Sequence, residues 1–220
     1  MSKQGQYAHD SKLLFFGKII ASATHEIKNA LAVINENAGL VIDYSTMRSE
    51  GVSPDLKRFE TLAGRIVDQV KRADKLLKNI NLFSHSLDEP LATVELNQIL
   101  HLLAALSFRI ASMQGVTIQV LPSKTPVEAT TSPFILIHIL FLCIEFAIQA
   151  ADKGDCIQLE AKKTETGNSV RFGPLSKLEQ MPDETWHSVS ISEVLPMIKT
   201  GVIADKESGN IVLVLSEYRE

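Results

Sequence analysis

The feature that most constrains the fold is a pair of heptad repeats in the N-terminal part of the chain. Apolar residues recur at alternating spacings of four and three within residues 12–47, and the same pattern returns after a turn and continues to about His85. The first seam comprises Phe16, Ile20, Ala23, Ile27, Ala30 and Ile34, and the second comprises Phe59, Ala63, Ile66, Val70, Ala73, Leu77 and Ile80. This spacing predicts two long helices, each with one apolar stripe.

The segment 48–55 between the repeats has the residues of a helix end and a new helix start. Gly51 suits a helix C-terminus, and Ser53 followed by Pro54 suits the start of the next helix. We therefore predict a long antiparallel helical hairpin. One hairpin is too small to bury both seams, so we expect a homodimer in which two hairpins form a four-helix bundle. The alternative is that the hairpin packs on the rest of its own chain.

The pattern changes after residues 84–95, which we interpret as a linker. Helices are expected at 97–113, 133–152 and 187–199, and strands at 116–120, 156–162, 168–172 and 210–216. This mixture predicts an α/β sandwich with helices on one face of a sheet. The predicted fold class is therefore α+β, with a helical-hairpin domain at 1–88 and an α/β domain at 89–220.

Composition and charge exclude several classes of protein. The chain has 220 residues, 45% of them hydrophobic, and a formal net charge of −4, which argues against intrinsic disorder and against a nucleic-acid binder. Its two cysteines, Cys143 and Cys156, do not support a disulfide scaffold or a zinc cluster. The apolar stretch 133–151 is long enough for a membrane span, but Glu145 would then lie in hydrocarbon, so a buried helix is expected.

The N-terminus carries no secretory signal, because its first ten residues are polar. We expect a cytoplasmic protein without membrane association, and no sensor domain or membrane anchor ahead of residue 12.

One short segment of the first helix can carry chemistry. In the heptad frame His25 points directly away from the seam, and Asn29 lies one turn further on. An imidazole there is open to another protein, and an unperturbed imidazole is mostly neutral and nucleophilic slightly above pH 7. An HExxH motif would bind zinc, but Asn29 occupies the second histidine position and is a poor zinc ligand, so no metal site is expected. The simplest alternative is a solvated surface histidine.

The segment HEIKNALAVI, residues 25–34, resembles the phosphoacceptor box of bacterial sensor histidine kinases, whose common form is HEIKNPLAAI. Ala30 stands in place of the proline. Weaker resemblances follow: LFSHS ends the second helix where relatives often have FSR, and VELNQIL is similar to the segment that enters the ATP-binding domain. Residues 132–159 are similar to that domain's N-box region, and residues 192–216 to its last helix and strands.

This resemblance implies roles for three residues. His25 would carry the phosphoryl group, Glu26 would be the adjacent acid that orients and activates the imidazole, and Asn29 would position a water in kinases with phosphatase activity. Helix geometry supports the proximity of His25 and Asn29, which are four residues apart. It supports Glu26 less well, because adjacent residues on a helix do not face each other.

The residues that hold ATP in that family are missing here. In IEFAIQAAD, Glu145 matches the family pattern xENAxxAx, but Phe146 stands where the magnesium-binding asparagine belongs, and magnesium requires oxygen ligands. No two of the 11 glycines are closer than six residues, so the chain has no G-x-G segment to cradle phosphates. The segments where glycine boxes are expected are FGPLSKLEQMPDE and ETWHSVSISE. We expect this chain to bind no nucleotide and no metal; the alternative is that a divergent domain binds ATP through other residues.

These features favour a dimeric histidine phosphotransferase of a two-component phosphorelay. The resemblance implies response-regulator receiver domains as partners, which supply the aspartate and Mg2+, and a hybrid histidine kinase as a further partner. The degenerate α/β domain would then serve as a docking surface for the receiver. The alternatives are an active or phosphatase-type sensor histidine kinase, and a non-enzymatic dimeric adaptor that binds response regulators without using His25.

Overall fold

The structure is a computed structural model, which describes residues 3–49, 55–165, 167–182 and 200–216. It confirms the predicted α+β class. Two long helices come first: α1 spans Lys3–Ser49 and α2 spans Leu56–His85. α1 begins well before the predicted start at residue 12, because the polar residues ahead of the seam contain no proline and can extend the helix. The predicted turn residues Gly51, Ser53 and Pro54 lie outside the described residues.

Contacts divide the chain into two compact units. One is Ile19–Asn81, and the other comprises Met1–Lys18 together with Leu82–Glu220. The first turns of α1 and the end of α2 thus group with the α/β part, whereas the sequence analysis assigned them to the hairpin domain. We call the first unit the hairpin unit and the second the α/β unit.

The hairpin unit contains most of α1 and α2, which pair in antiparallel fashion. Glu26 near the start of the unit contacts Arg72 near its end, and Tyr44 packs against Phe59 with ring centroids 6.0 Å apart. Arg58 lies over the Tyr44 ring, with the guanidinium carbon 4.9 Å from its centroid. An early residue of α1 thus contacts a late residue of α2, and a late residue of α1 contacts the start of α2, as the predicted antiparallel hairpin requires.

Only part of the predicted seams is buried within the hairpin unit. Ala23 and Ala30 of the first seam are buried, but Val70 and Leu77 of the second seam are 52% and 50% exposed. The exposed residues Leu56, Ala63, Val70 and Leu77 follow one another at intervals of seven, so they lie on one stripe of α2. The hairpin unit therefore presents an apolar stripe that its own residues do not cover.

The described part of the α/β unit comprises two sheets and two further helices. Its elements are β1 (Ala92–Glu95), α3 (Leu96–Met113), β2 (Thr117–Val120), β3 (Glu128–Thr131), α4 (Pro133–Gln149), β4 (Cys156–Thr164), β5 (Gly167–Gly173), a 3-10 turn (Leu178–Gln180), β6 (Thr200–Asp205) and β7 (Asn210–Ser216). The helices at 97–113 and 133–152 and the four predicted strands are confirmed in position. The helix predicted at 187–199 falls outside the described residues.

Three strands were missed by the sequence analysis. β1 lies in the stretch interpreted as a linker, and it pairs antiparallel with β3 in a two-stranded sheet. Unlike the equally short β2, neither strand has large aliphatic residues at alternate positions. β6 pairs antiparallel with β7, and Gly201 near its start weakens the strand signal.

The main sheet is mixed, with the strand order β2-β4-β5-β7-β6. β2 and β4 are parallel and all other neighbours are antiparallel. Alternate residues of β4, β5 and β7 are buried, so one face of the sheet belongs to the core. α3 and α4 contact these strands, and nearly every residue of α4 is buried. A helix that is apolar all round belongs in such a core.

The helix starts follow from local sequence. The Glu95 carboxylate accepts hydrogen bonds from the backbone N–H groups of Asn97 and Gln98 at 3.0 and 2.9 Å, which caps α3. α4 begins with Ser132 at the N-cap and Pro133 at the first helical position.

Candidate functional site

His25 lies on α1 within the hairpin unit and is exposed, as its heptad position predicts. Asn29, one turn further on, is also exposed, and Ser22, one turn before, is half-buried. These three side chains share the outward stripe of the helix because residues three and four apart are neighbours on its surface. The imidazole is therefore accessible to another molecule.

The imidazole of His25 has one hydrogen-bond partner among the described residues. Asn29 Nδ2 lies 3.2 Å from His25 Nδ1. If the amide NH2 donates, Nδ1 accepts and Nε2 carries the ring proton. If the amide is rotated so that Oδ1 takes this position, Nδ1 donates its proton and the lone pair of Nε2 is free for nucleophilic attack. Asn29 can therefore set the tautomer of His25, and only the second arrangement suits phosphotransfer.

Glu26 is held by a residue that the sequence analysis did not identify. Its Oε2 lies 2.5 Å from Nη2 of Arg72 on α2. Among the described residues no hydrogen bond joins Glu26 to His25, in keeping with the poor facing of adjacent helical residues. The sequence shows Arg72 two residues after the seam position Val70. It does not show which residue of α1 this arginine contacts.

Phe146, at the position of the magnesium-binding asparagine, is a core residue of α4 with 6% exposure. Phenylalanine offers no oxygen ligand, so this position does not fit a bound magnesium ion. Glu145, which matches the family pattern, forms an ion pair with Lys18 of α1 within the α/β unit. Lys18 Nζ also lies 5.6 Å from the centroid of the Phe141 ring.

The segment expected to form the first glycine box packs onto the end of α4. Leu175 and Leu178 are buried. The backbone N–H of Leu175 donates to the carbonyl of Gly209 at 2.8 Å, and that of Lys177 donates to the carbonyl of Ala150 at 2.8 Å. A phosphate cradle needs free backbone N–H groups, and these are committed to the protein.

Side chains close the same segment against the loop after α4. Ser176 Oγ donates to Asp155 Oδ2 at 2.5 Å, and Lys177 Nζ lies 2.6 Å from Asp152 Oδ1. The hydrogen bond from Ser176 is the main reason that the pKa of Asp155 is lowered from its ordinary value. The loop and the segment are therefore tied together by charge-assisted contacts.

The glycine at position 173 is explained by close packing of the backbone, without a bound phosphate. Its φ is +152°, and a Cβ at this position would lie 2.3 Å from Asn210 Oδ1 and 2.9 Å from the carbonyl oxygen of Gly209. Only glycine fits where β5 passes so close to the start of β7. The segment ETWHSVSISE, where the second glycine box is expected, lies outside the described residues.

A buried histidine lies elsewhere in the α/β unit. His138 of α4 stacks on Phe15 of α1, with ring centroids 4.4 Å apart. Its Nδ1 has no hydrogen-bond partner in the described part of the chain. Burial, with a smaller contribution from the charge of Lys12, lowers the pKa of His138 to about 4. This imidazole is therefore neutral at physiological pH, and its ring packs in the core of the α/β unit.

Within the described residues, no group of three or more histidine, cysteine, aspartate or glutamate side chains could hold a metal ion. One described helix, α3, is long and apolar enough to cross a membrane by length and composition. Core helices of globular proteins pass the same test, and α3 buries Leu100, Leu103 and Leu106 in the α/β unit. The stretch 133–151 forms the shorter and almost fully buried α4.

No protein-family model matches the sequence, and no curated protein does. Solved structures do match. The histidine kinase AdeS of Acinetobacter baumannii is 12% identical, covers 89% of this chain and 98% of its own, and gives a TM-score of 0.47. The ATP-binding domain of PrrB from Mycobacterium tuberculosis is 16% identical over 60% of this chain and 100% of its own, with a TM-score of 0.46.

A third structure, described as a bacterial phosphotransferase, is 12% identical, covers 91% of this chain and 95% of its own, and gives a TM-score of 0.46. These matches concern the fold.

Proposed function

We propose that this protein is a dimeric histidine phosphotransferase of a two-component phosphorelay, which acts through His25 and binds no ATP. The observation that carries the proposal is the exposed imidazole of His25 with Asn29 on its Nδ1. That arrangement leaves Nε2 directed to a partner when the amide oxygen accepts the Nδ1 proton.

The proposed reaction begins with an aspartyl phosphate on a receiver domain. The Nε2 lone pair of His25 attacks phosphorus, the Nε2–P bond forms, and the bond from phosphorus to the aspartyl oxygen breaks. The electron pair of that bond leaves with the aspartate, which becomes a carboxylate. The Nδ1 proton stays on the ring and is held by Asn29 Oδ1. The reverse reaction passes the phosphoryl group to the aspartate of another receiver.

The proposed lack of ATP binding is supported by how the α/β unit is filled. Phe146 is packed into the core, and the backbone N–H groups of Leu175 and Lys177 donate to the carbonyls of Gly209 and Ala150. The aspartate and the Mg2+ of the reaction are therefore expected to come from the receiver. The α/β unit would serve as the docking surface for that receiver.

The proposed dimer is supported by the uncovered stripe of α2. Val70 and Leu77 are about half exposed although they belong to a heptad seam, and such a seam is stable in water when another helix covers it. A second hairpin unit supplies that cover in a four-helix bundle. Response-regulator receivers, a hybrid histidine kinase as a phosphoryl donor, and a cytoplasmic location complete the proposal.

The test is transfer of label from a phosphorylated receiver. With labelled receiver and Mg2+, we expect label on the unmodified protein and none on His25→Ala or His25→Gln, because an amide nitrogen is not a nucleophile. His101→Ala is the matched control, since His101 is also an exposed helical histidine. The label should be lost in acid and survive alkali, as expected for a phosphoramidate. Transfer to His25→Ala at the unmodified rate would show that the proposal is wrong and favour the adaptor.

A parallel incubation with labelled ATP and Mg2+ tests the second half of the proposal. We expect no label and no nucleotide-dependent rise in melting temperature. A nucleotide that bound the folded state would raise the melting temperature, so an unchanged value indicates that none binds. A saturable shift would favour the active kinase instead.

A further inference from the structure

An ion pair between α1 and α2 lies one residue from His25. Glu26 follows His25 directly, and its Oε2 is 2.5 Å from Arg72 Nη2. The Glu26 side chain is only 13% exposed, whereas that of Arg72 is 46% exposed. The carboxylate is thus largely withdrawn from water, and the guanidinium that neutralises it remains half open on the surface of the hairpin unit.

Charge beside His25 matters because a phosphoryl group brings nearly two negative charges to the imidazole. A carboxylate on the next residue would repel that group. Water screens the repulsion poorly when the carboxylate is mostly buried. Arg72 cancels this charge, so the phosphoryl group meets a neutral pair. Lys28, exposed three residues after His25, adds a positive charge that does not depend on the pair.

We propose that Arg72 acts by charge balance: by neutralising Glu26, it increases the fraction of the phosphoryl group that rests on His25 at equilibrium with a receiver. The inference builds on the proposed function. It differs from the role that the family resemblance implies for Glu26, which is to activate the imidazole. A group that only lowers the barrier speeds transfer in both directions and leaves the equilibrium unchanged, whereas charge balance moves the equilibrium itself.

The experiment measures the equilibrium ratio of phosphohistidine to phosphoaspartate in the full chain with one labelled receiver. We expect Arg72→Gln to lower the ratio about tenfold, because the Glu26 carboxylate beside the phosphoryl group is then not neutralised and is poorly screened. Glu26→Gln should raise it severalfold, because the positive charge of Arg72 is then unopposed. The double variant Glu26→Gln with Arg72→Gln should return close to the unmodified ratio, and Arg72→Lys should retain it. High salt should shrink all these differences.

Two outcomes would overturn the inference. One is an unchanged ratio in Arg72→Gln, and the other is a loss that Glu26→Gln does not restore, which would mean that Arg72 contacts the phosphoryl group itself or serves only the structure. If Arg72→Gln does not fold, the Glu26→Gln variant alone tests the inference. A ratio of phosphohistidine to phosphoaspartate that is unchanged or lower in Glu26→Gln would contradict charge balance. No label on the unmodified protein would overturn the proposed function and this inference together, whereas label with unchanged equilibria would overturn this inference only.

Discussion

The two units of this chain use their apolar residues in opposite ways. In the α/β unit, α4 is apolar all round and nearly every side chain is buried. In the hairpin unit, Val70 and Leu77 remain about half exposed at heptad spacing. The candidate chemistry follows the same division, because His25 is exposed on the hairpin unit while the position expected to bind nucleotide is filled by Phe146. Apolar patterning alone therefore does not show which residues form a core, since the same residue types are buried in one unit and half exposed in the other.

The largest expected effect is that of placing an amide at the buried position of Phe146. Phe146→Asn should lower the free energy of unfolding by about 4 kcal/mol, because it opens a cavity and buries an amide. It should not create a nucleotide site, since the backbone N–H groups of Leu175 and Lys177 already donate to the carbonyls of Gly209 and Ala150. Urea unfolding and calorimetry with ATP and Mg2+ measure the two effects.

The control for this substitution is Gln149→Asn, an exposed position on the same helix, where the change in stability should stay within about 0.5 kcal/mol. Saturable ATP binding by Phe146→Asn would contradict the proposed lack of a nucleotide site.

A second effect concerns pH and the buried His138. Its pKa is lowered to about 4 in the folded state, below the ordinary value of 6.5. Between these two values the unfolded chain binds a proton that the folded chain does not, so stability falls as the pH drops from 6.5 to 4. The loss attributable to this residue approaches about 3 kcal/mol at the acid end.

His138→Leu should remove this loss, because leucine does not titrate and the unpaired Nδ1 disappears with it. The measurement is the free energy of unfolding of both proteins at several pH values, with exposed His101→Leu as the control. Parallel pH profiles for His138→Leu and the unmodified protein would show that His138 is not the source.

The third prediction addresses the exposed stripe of the hairpin unit. Val70→Glu should weaken the proposed dimer about 100-fold, because a charge would be buried without a partner in each copy. The fold of the single chain should change little, since Val70 is already half exposed there. Sedimentation equilibrium measures the mass, and Lys71→Glu is the neighbouring exposed control. A monomer mass for the unmodified protein at micromolar concentration would contradict the dimer.

The parts of the fold that could be predicted are those with a long periodic signal. The heptads of α1 and α2 and the apolar run of α4 identified these helices, with errors of a few residues at most ends and of nine residues at the start of α1. The strands β1 and β3 could not be found, because one Val is the only large aliphatic residue in the two of them, whereas the equally short β2 has Ile118 and Val120 at alternate positions. At the site, the pairing of His25 with Asn29 follows from helix geometry alone. The partner of Glu26 depends on how α1 and α2 align, which no local pattern specifies.

The smallest expected effect is that of the ion pair between Lys18 and Glu145 in the α/β unit. The Lys18 side chain is 52% exposed, so water screens the pair, and its coupling energy in a double-mutant cycle should be about 0.5–1 kcal/mol. The cycle uses Lys18→Met and Glu145→Gln in urea unfolding at low and high salt, where the coupling should shrink. The exposed pair Lys177–Asp152 is the control and should give less.

A coupling above about 2 kcal/mol that salt does not reduce would mean that the Lys18–Glu145 pair is dry and contributes to the core. The expected small value has a structural consequence. Phe15 of α1 is buried and packs against Phe83, Phe134 and Phe141, with ring centroids 5.5, 5.6 and 5.1 Å away. Burial of one such aromatic side chain outweighs an exposed ion pair. The start of α1 therefore belongs to the α/β unit through its apolar residues, and the charge of Lys18 adds little to that association.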